Sequence, residues 1–463
     1  MIRPAAVDAL LAREQRDYIA RHPCSAALAT EAGRHWPGGV PLHWMADWGT
    51  PFPLVVSEAS GATLVDVDGH RITDLCLGDT GAMFGHSPPA VAAALAAQAS
   101  RGLTCMLPDA RVAAVGEGLA RRFGLPFWQL AQTASDANRA ALRWARALTG
   151  RPTVLVFHGC YHGLVEETMV RLRGGRTVPR EGAVGSAFDH ASAAVAVEFN
   201  DVDALEAALA AGGIAAVIAE PVMTNCGMVL PAPGFDAALR ALTRRHGALL
   251  VIDETHTISS GPGGYTGEHG LEPDLWVCGK AIAGGLPCAA WGMSAEVAAR
   301  RAAWLARRDA ASAPADPAAP DAAPLHGHSG MGTTLAGNAL TIAALEAALG
   351  HLHTDATHAA MRAGALRIEQ ALRAVFSAHG LDWHVSRVGA RVEFGFGPAP
   401  RNGSEAEAQD RPQLGEALRL WLLNRGLLMT PFHQMLLAAP TLAPSAADAL
   451  GAAVAGFLDE VSA

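Results

Sequence analysis

Four short stretches of the chain are apolar at consecutive rather than alternate positions, apart from Thr153 at the start of the first. They are TVLVF (153–157), IAAVIA (214–219), ALLVI (248–252) and LWVC (275–278). Continuous apolar runs of this length are typical of strands that are buried on both faces. Alanine-rich stretches with helical spacing, such as DANRAALRWARAL and FDAALRALTRRHG, accompany them. Strands that alternate with helices predict an α/β fold with a mostly parallel sheet.

The flanking regions show other patterns. GATLVDVDGHRITDL (61–75) predicts a β-hairpin with Asp68-Gly69 at its turn, because this pair tolerates positive φ angles. DAASAPADPAAPDAAPL (309–325) is an alanine- and proline-rich tract that predicts a mobile surface loop. After residue 340 come helical patterns and a strand-like RVEFGFG. We therefore expect three regions: an N-terminal segment at 1–85, a large domain at 86–330, and a small domain at 331–463 that packs with the N-terminal segment.

Composition narrows the class of partner. The chain has 44 acidic and 35 basic residues, a formal net charge of -9 and no lysine or arginine block, so we expect no nucleic-acid or membrane partner. The seven cysteines form no CxxC pair, which predicts reduced thiols in a cytoplasmic protein. The N-terminus lacks the apolar core of a signal peptide, and no later run is long and apolar enough to span a membrane.

Polar residues stand where three of the predicted strands end. Glu220 follows IAAVIA, Asp253 follows ALLVI, and Lys280 comes two residues after LWVC. Ligands of open α/β sheets bind beyond the carboxyl ends of the strands. For any one of these residues alone, a strand that simply meets water is the commoner explanation. Together they indicate that one crevice holds all three.

The segment around Lys280 excludes some cofactors and favours another. CGKAIAGGLP is not a phosphate loop, because Asp274 and Ala281 replace its first glycine and its hydroxyl residue. GPGGYTG fails the dinucleotide fingerprint, because Thr266 stands in place of the third glycine. A lysine among small residues at a strand end suits Schiff-base chemistry instead. The histidines show no HExxH and no cysteine partners, so we expect no metal site.

Two further features extend this chemistry. Thr133 and Ser135 precede a helical pattern and present hydroxyls and free backbone N–H groups to an anion, although a plain helix cap explains most such sequences. Tyr161 follows another buried strand, where its ring would either stack on a flat cofactor or fill the core. A reactive lysine, an aspartate, a stackable ring and a phosphate site together suit pyridoxal phosphate. In that interpretation Asp253 keeps the cofactor's ring nitrogen protonated.

The chain closely resembles the class III pyridoxal-phosphate aminotransferases of fold type I, nearest the branch that contains glutamate semialdehyde aminomutase. The resemblance extends over nearly the whole chain and implies a large domain with a mostly parallel central sheet plus a smaller α+β domain from the N- and C-terminal segments. Its motifs are WPGGV, the hairpin stretch, GHSPPAV, TASDANRAALRWARALTGR, FHGCYHG, AEPVMTNCGMVLPAPGF, HGALLVIDE, GKAIAGGLP and GTTLAGNAL, in this order.

Matched residue by residue, the resemblance implies a role for each cofactor-binding position. Lys280 would form the Schiff base with the cofactor, and Asp253 would contact the ring nitrogen. Tyr161 would stack on the ring. Ala134 and Ser135 would bind the phosphate. Lys280 and Asp253 are therefore the expected catalytic residues.

Other positions have less direct roles in this resemblance. Thr334 would reach the phosphate from the neighbouring subunit, which implies a homodimer with shared active sites. Glu220 would support the site. His256 stands where many relatives have glutamine, methionine or isoleucine, and it would either tune the pKa of the Schiff base or merely pack beneath the ring.

The implied activity is an aminotransferase that moves an amino group from an amine or amino acid to a keto acid in two half-reactions. Bulky residues of the N-terminal region would roof the substrate pocket and favour an apolar or aromatic substrate: Trp44, Met83 and Phe84. The alternative for the tryptophan is that it holds the N-terminal segment to the dimer. The clamp for a substrate carboxylate stays open between Arg387, Arg391 and Arg401. An aminomutase or racemase that uses the same cofactor is the alternative activity.

Overall fold

The computed structural model describes residues 2–311 and 328–462. Its α-helices, in chain order, are α1 Pro4–Arg21, α2 Pro23–Ala32, α3 Pro89–Ala99, α4 Val112–Phe123, α5 Ala134–Thr149, α6 Val202–Ala210, α7 Phe235–His246, α8 Gly264–His269, α9 Ala295–Ala311, α10 Ala339–His351, α11 Asp355–Ala378, α12 Gly403–Ala408, α13 Pro412–Leu423 and α14 Ser445–Val461. Most of the predicted low-complexity loop at 309–325 lies outside the described residues.

The strands within the described residues are β1 Val56–Ser60, β2 Thr63–Asp66, β3 Arg71–Asp74, β4 Phe127–Ala131, β5 Thr153–Phe157, β6 Val170–Arg173, β7 Arg176–Pro179, β8 Ala194–Val197, β9 Ile214–Ala219, β10 Leu249–Asp253, β11 Leu275–Cys278, β12 Ala289–Met293, β13 Val385–Val388, β14 Arg391–Phe394, β15 Leu427–Leu428 and β16 Met435–Leu437. The four continuous apolar runs thus form β5, β9, β10 and β11, with β10 displaced by one residue so that Asp253 is its last member.

The largest sheet has the strand order β4-β12-β11-β10-β9-β5-β8. Its neighbours from β11 to β8 pair in parallel, and β12 runs antiparallel to both β11 and β4. Every residue of β9, β10, β11 and β12 is buried. Helices cover this sheet because strands that are apolar on both faces must be shielded on both. The predicted α/β fold with a mostly parallel central sheet is confirmed.

The start of α5 lies beside the carboxyl ends of these strands. The Thr133 hydroxyl accepts a hydrogen bond from the backbone N–H of Asp136 and so caps the helix. The helix ends at Gly150, which adopts the left-handed conformation that commonly closes a helix. Capping at Thr133 directs the first backbone N–H groups of α5 towards the edge of the sheet where the strands end.

Two smaller sheets combine distant parts of the chain. The predicted hairpin forms β2 and β3, which pair antiparallel, with φ of 89° at Gly69 in its turn. Strand β15 pairs in parallel with β3, while β13, β14 and β16 form a separate sheet. The domain boundaries at 85 and 330 stay a prediction. No helix within the described ranges is both long and apolar enough to cross a lipid bilayer.

Candidate active site

A cavity of about 720 Å³ opens at the carboxyl ends of the central strands. Its walls bring together most of the predicted site residues, which the sequence separates by up to 236 positions: Trp44, Ala134, Ser135, Tyr161, Glu220, Asp253, His256 and Lys280. Because parallel strands end at the same edge of the sheet, residues that follow different strands meet there. One crevice therefore holds Glu220, Asp253 and Lys280, as their positions predict.

Asp253 is held in place by hydrogen bonds to both carboxylate oxygens. Its Oδ2 accepts from Asn138 Nδ2 at 2.8 Å and lies 2.9 Å from His162 Nδ1. Its Oδ1 accepts from the backbone N–H of Thr255 at 3.1 Å and from the Thr255 hydroxyl at 2.7 Å. The side chain is 4% exposed and faces the cavity. Its position and orientation are therefore set before any ligand binds.

The electrostatics of this pair favour a charged aspartate. Burial alone would raise the pKa of Asp253, but its hydrogen bonds, first that from His162, hold the pKa below its ordinary value. Burial acts to lower the pKa of His162, yet the neighbouring Cys160 sulfur and the Asp253 carboxylate raise it well above the ordinary value. Asp253 therefore stays ionised at the wall of the cavity, beside a His162 that favours its protonated form.

Lys280 lies between an acid and an imidazole. Its Nζ donates to Asp79 Oδ2 at 2.7 Å and lies 2.9 Å from His256 Nε2. Burial alone would raise the pKa of Asp79, but the Lys280 ammonium, followed by the charges of its other neighbours, holds that pKa well below the ordinary value. Asp79 adopts a left-handed backbone conformation, with φ of 49°, which turns its carboxylate towards the lysine.

The opposite face of His256 contacts two buried side chains. Arg391 Nη2 lies 2.6 Å from His256 Nδ1, and the Thr80 hydroxyl lies 2.9 Å from the same nitrogen. A guanidinium has only donors, so Nδ1 accepts from Arg391 and the proton of the neutral imidazole stands on Nε2. Burial, and then the charge of Lys280, hold the pKa of His256 well below the ordinary value. The imidazole is therefore neutral, and its Nε2–H can donate to Lys280 Nζ only once Nζ has lost a proton.

The start of α5 forms the opposite wall. Ala134 and Ser135 both line the cavity, and the Ser135 hydroxyl accepts the backbone N–H of Leu164 at 2.9 Å. Gly163 has φ of +76°, and a Cβ there would lie 2.1 Å from Ser135 Oγ. Only glycine allows this loop to lie against the first turn of the helix. The loop and the turn together form a cradle of backbone N–H groups suited to an anion.

Tyr161 is half-buried and is surrounded by cationic and aromatic side chains. The guanidinium of Arg180 stands 5.4 Å from the centre of its ring. Trp44 lies 6.0 Å from the ring and contacts Phe432 at 5.3 Å. Trp44, Phe432 and Arg180 all line the cavity. The apolar part of the cavity therefore lies beside a cation.

Glu220 supports the loops rather than the floor of the site. Its Oε1 accepts the backbone N–H of Tyr161 at 3.3 Å, and its Oε2 accepts that of Thr224 at 3.1 Å. Asn225 Nδ2 donates to the same carboxylate at 3.0 Å. Glu220 thus ties the Tyr161 loop to the loop that follows β9, in keeping with a supporting role.

The structure corrects two predicted pocket residues. Met83 is fully buried in the main core, and Phe84 packs edge-on against His353 and His358 at 4.9 and 5.8 Å. Neither residue lines the cavity of the described chain. An apolar pair in an N-terminal loop has the same local pattern whether it faces a ligand or the core. Tertiary packing places this pair in the core.

Other predicted residues also lie away from the cavity walls. Thr334 is exposed, and its role as a residue donated to a second subunit stays a prediction, as does the homodimer. Arg387 pairs with Glu369 and Arg401 pairs with Glu405. Arg391 stands behind His256. None of these three arginines lines the cavity within the described residues.

Three residues of the site were missed from the sequence. Asp79 and His162 contact the two expected catalytic residues, and Arg180 lines the cavity. Arg180 follows strand β7, and a hairpin is indicated by the Gly174-Gly175 pair alone. Nothing in that local pattern shows that the hairpin leads back over Tyr161.

The donor set fits pyridoxal phosphate. Asp253 supplies a buried carboxylate for the ring nitrogen, Tyr161 supplies a flat ring, and Lys280 supplies the amine that reacts with the aldehyde. The cradle formed by Gly163 and the first turn of α5 suits the phosphate, because a side chain at 163 would fill it. These groups meet in one cavity and have the complementary chemistry for each part of the cofactor.

Comparison with known proteins adds the family and its activities. The chain matches the family model described as Aminotransferase class-III over residues 44–450. Proteins named glutamate-1-semialdehyde 2,1-aminomutase are similar to this chain. That of Roseiflexus castenholzii is 38% identical over 58% of this chain and 63% of the relative. The match thus spans less than two thirds of the length of that relative. That of Desulfitobacterium hafniense is 31% identical over 85% of this chain and 88% of the relative.

A solved structure is similar over the full length. The glutamate-1-semialdehyde aminomutase of Pseudomonas aeruginosa, as a lysine-to-alanine variant in complex with PMP, has a TM-score of 0.94 and 48% identity and covers 100% of each chain. These relatives are isomerases, so the expected transfer of an amino group between two substrates is wrong as the main activity. They support the alternative activity, that of an aminomutase.

Proposed function

The chain belongs to the class III aminotransferase family, and from this premise we propose that it is an aminomutase, which moves an amino group between neighbouring carbons of one substrate. Glutamate 1-semialdehyde is the proposed substrate. Its amino group and its aldehyde oxygen exchange places, and the product is 5-amino-4-oxopentanoate. Substrate and product are isomers, so no second amine or keto acid is consumed. The observation that carries this proposal is the likeness to the Pseudomonas aeruginosa aminomutase over the whole of both chains.

Pyridoxal phosphate is the cofactor, and when bound it supplies an aldehyde that bonds to amines and a ring that accepts electrons from the reacting carbon. Asp253 would hold the ring nitrogen in its protonated form. The hydrogen bonds from Asn138 and His162 fix the carboxylate for this task. Removal of either hydrogen bond would chiefly loosen the orientation of Asp253.

Lys280 is suited to moving the proton. Its Nζ would take a proton from one carbon of the substrate and return it to the neighbouring carbon. Asp79 and His256 contact Nζ from two sides and limit its directions of movement. Asp79 stays ionised and His256 stays neutral because of the pKa shifts described above. The pair therefore orients Nζ and supplies one negative charge without competing for the substrate proton.

Arg180 would recognise the carboxylate of the substrate. It lines the cavity, it stacks over Tyr161, and no carboxylate pairs with it among residues 2–311 and 328–462. Burial, and then the neighbouring Arg171, lower the pKa of Arg180, so an anion beside it would relieve an unfavourable environment. Glutamate 1-semialdehyde carries such an anion at the end opposite to its aldehyde.

The proposed reaction requires that the substrate be retained in the cavity. An aminomutase must keep the organic part of its substrate bound between the loss of one amino group and the gain of the other. Trp44 contacts both Phe432 and Tyr161, and all three rings line the cavity. The rings of Trp44 and Phe432 would slow the escape of a half-converted substrate.

The test uses one substrate and no amino acceptor. The purified protein, saturated with cofactor, is mixed with an excess of glutamate 1-semialdehyde, and 5-amino-4-oxopentanoate is measured over time. We expect many turnovers per site without any added keto acid. Formation of at most one product per site, with turnover restored only by a keto acid, would contradict the proposal.

A further inference from the structure

A second cluster of ligating side chains lies away from the cavity. It joins the junction between α1 and α2 to the β2–β3 hairpin and consists of His22, Asp66 and His70. His22 is 2% exposed and Asp66 is 1% exposed, while His70 is partly open to solvent. None of the three lines the active-site cavity. The catalytic chemistry proposed above therefore does not account for this cluster.

The geometry of the cluster is compact. Asp66 Oδ2 lies 3.4 Å from His22 Nε2 and 2.8 Å from His70 Nδ1. One ligand atom from each residue lies within 4.8 Å of the other two. Ligands of a tetrahedral zinc ion at bond lengths of about 2.0–2.1 Å are roughly 3.3 Å apart. Small side-chain rotations, chiefly of the partly exposed His70, would bring all three atoms to that spacing.

Groups outside the cluster hold its ligands in the orientation that a metal requires. His22 Nδ1 lies 2.8 Å from the carbonyl oxygen of Tyr18, to which it donates. Asp66 Oδ1 accepts the backbone N–H of Asp68 at 3.0 Å and that of His70 at 2.8 Å. Metal-bound histidines and carboxylates characteristically have such partners, which fix the tautomer and the side-chain angle. The other oxygen, Oδ2, faces both histidines and has His70 Nδ1 as its hydrogen-bond partner at 2.8 Å.

This tautomer creates an electrostatic conflict that a cation resolves. With its proton on Nδ1, a neutral His22 directs the lone pair of Nε2 towards the negatively charged Asp66 Oδ2. The nearby Asp68 carboxylate, which accepts the backbone N–H groups of Cys24 and Ser25, places a second negative charge beside the cluster. A positive ion between Nε2 and Oδ2 would satisfy both atoms.

We propose that His22 Nε2, Asp66 Oδ2 and His70 Nδ1 bind one divalent transition-metal ion of the zinc type. Two imidazoles and a carboxylate are donors that zinc prefers, and the solvent-facing side leaves room for a water as fourth ligand. The ion would fasten the α1–α2 junction to the hairpin. This proposal departs from the expectation of no metal site, which rested on short motifs. The ligands here are 44 and 4 residues apart in the chain.

The test titrates the cofactor-saturated protein, freed of metal with a chelator, with Co²⁺ as a spectroscopic probe and with Zn²⁺ as a competitor. We expect one equivalent of Co²⁺ to give a visible absorption band that Zn²⁺ abolishes, and Zn²⁺ to raise the Tm. His22→Gln and His70→Gln should each weaken Co²⁺ binding by at least about tenfold. His35→Gln, which removes an exposed histidine outside the cluster, should leave binding unchanged.

Other results would overturn the proposal. The absence of a saturable Co²⁺ band, or equal Co²⁺ affinity in wild type and in both ligand variants, shows that no ion binds here and that a proton resolves the contact instead. The His70→Gln variant is expected to fold, because the His70 side chain is 30% exposed. Retention of the cofactor by this variant shows that its fold is intact. Isomerase activity should persist in His70→Gln.

Discussion

Replacement of Arg180 by methionine removes a guanidinium from the cavity and keeps much of the side chain's length and apolar stem. In the structure this guanidinium lies 5.4 Å above the Tyr161 ring, and the described residues provide no carboxylate partner for it. If it binds the substrate carboxylate, Arg180→Met leaves that carboxylate without its charged partner. The loss should then appear only with substrates that carry the carboxylate.

The size of the effect follows from the type of bond. A hydrogen bond to a charged group contributes about 1.5–3 kcal/mol, which corresponds to roughly a 10- to 150-fold loss in kcat/KM. The stacking of Arg180 on Tyr161 contributes less, about 0.5–1 kcal/mol, and its loss would change the cofactor absorbance rather than substrate selectivity. The two effects can therefore be separated in one variant.

The assay compares initial rates with glutamate 1-semialdehyde and with 2-aminobutanal, which is the same amino aldehyde with a hydrogen in place of the carboxylate. Arg180→Met should lower kcat/KM for the first and leave that for the second within about twofold of wild type. Arg176→Met is the matched control, because Arg176 is exposed on strand β7 of the same hairpin. Equal losses with both substrates, or no loss with either, would refute the carboxylate role of Arg180.

Four further variants test stability, substrate binding and pH dependence. Met83→Ala should lower the free energy of unfolding by about 2–5 kcal/mol, because Met83 is a core residue; urea unfolding measures this loss. Trp44→Ala should mainly raise KM, because Trp44 lines the cavity; initial rates measure this change. Asp253→Asn should lower stability by about 3 kcal/mol. Because the pKa of His162 is raised in the folded state, the stability that His162 contributes is present below its ordinary pKa of 6.5 and is lost as pH rises through the folded-state pKa. The stability that Asp253 contributes through its lowered pKa is present above 3.8. The Tm difference between wild type and Asp253→Asn should therefore be largest between these two pH values. His256→Phe keeps an aromatic ring but removes Nε2–H, so the pH midpoint of the cofactor absorbance should rise by about 0.4–1 unit. An unchanged midpoint would mean that His256 only packs beneath the cofactor ring.

The sequence by itself determined the central sheet and the residues at its carboxyl edge. Strands that are apolar on both faces leave a signal in consecutive positions, so β5, β9, β10 and β11 could be located without any knowledge of their neighbours. Asp253 and Lys280 could be named because each comes at the end of such a run. The topology of a parallel sheet then brings such ends together, whatever the chain does between them.

Only the tertiary structure decided what surrounds those residues. Asp79 reaches Lys280 across 201 positions, and Arg391 reaches His256 across 135. Met83 and Phe84 have the local pattern of pocket residues but pack in the core. The physical reason is that periodicity records which face of an element is apolar, whereas a hydrogen bond or a ring contact depends on the paths of separate segments. Those paths are set by packing of the whole chain, and no local stretch of sequence specifies them.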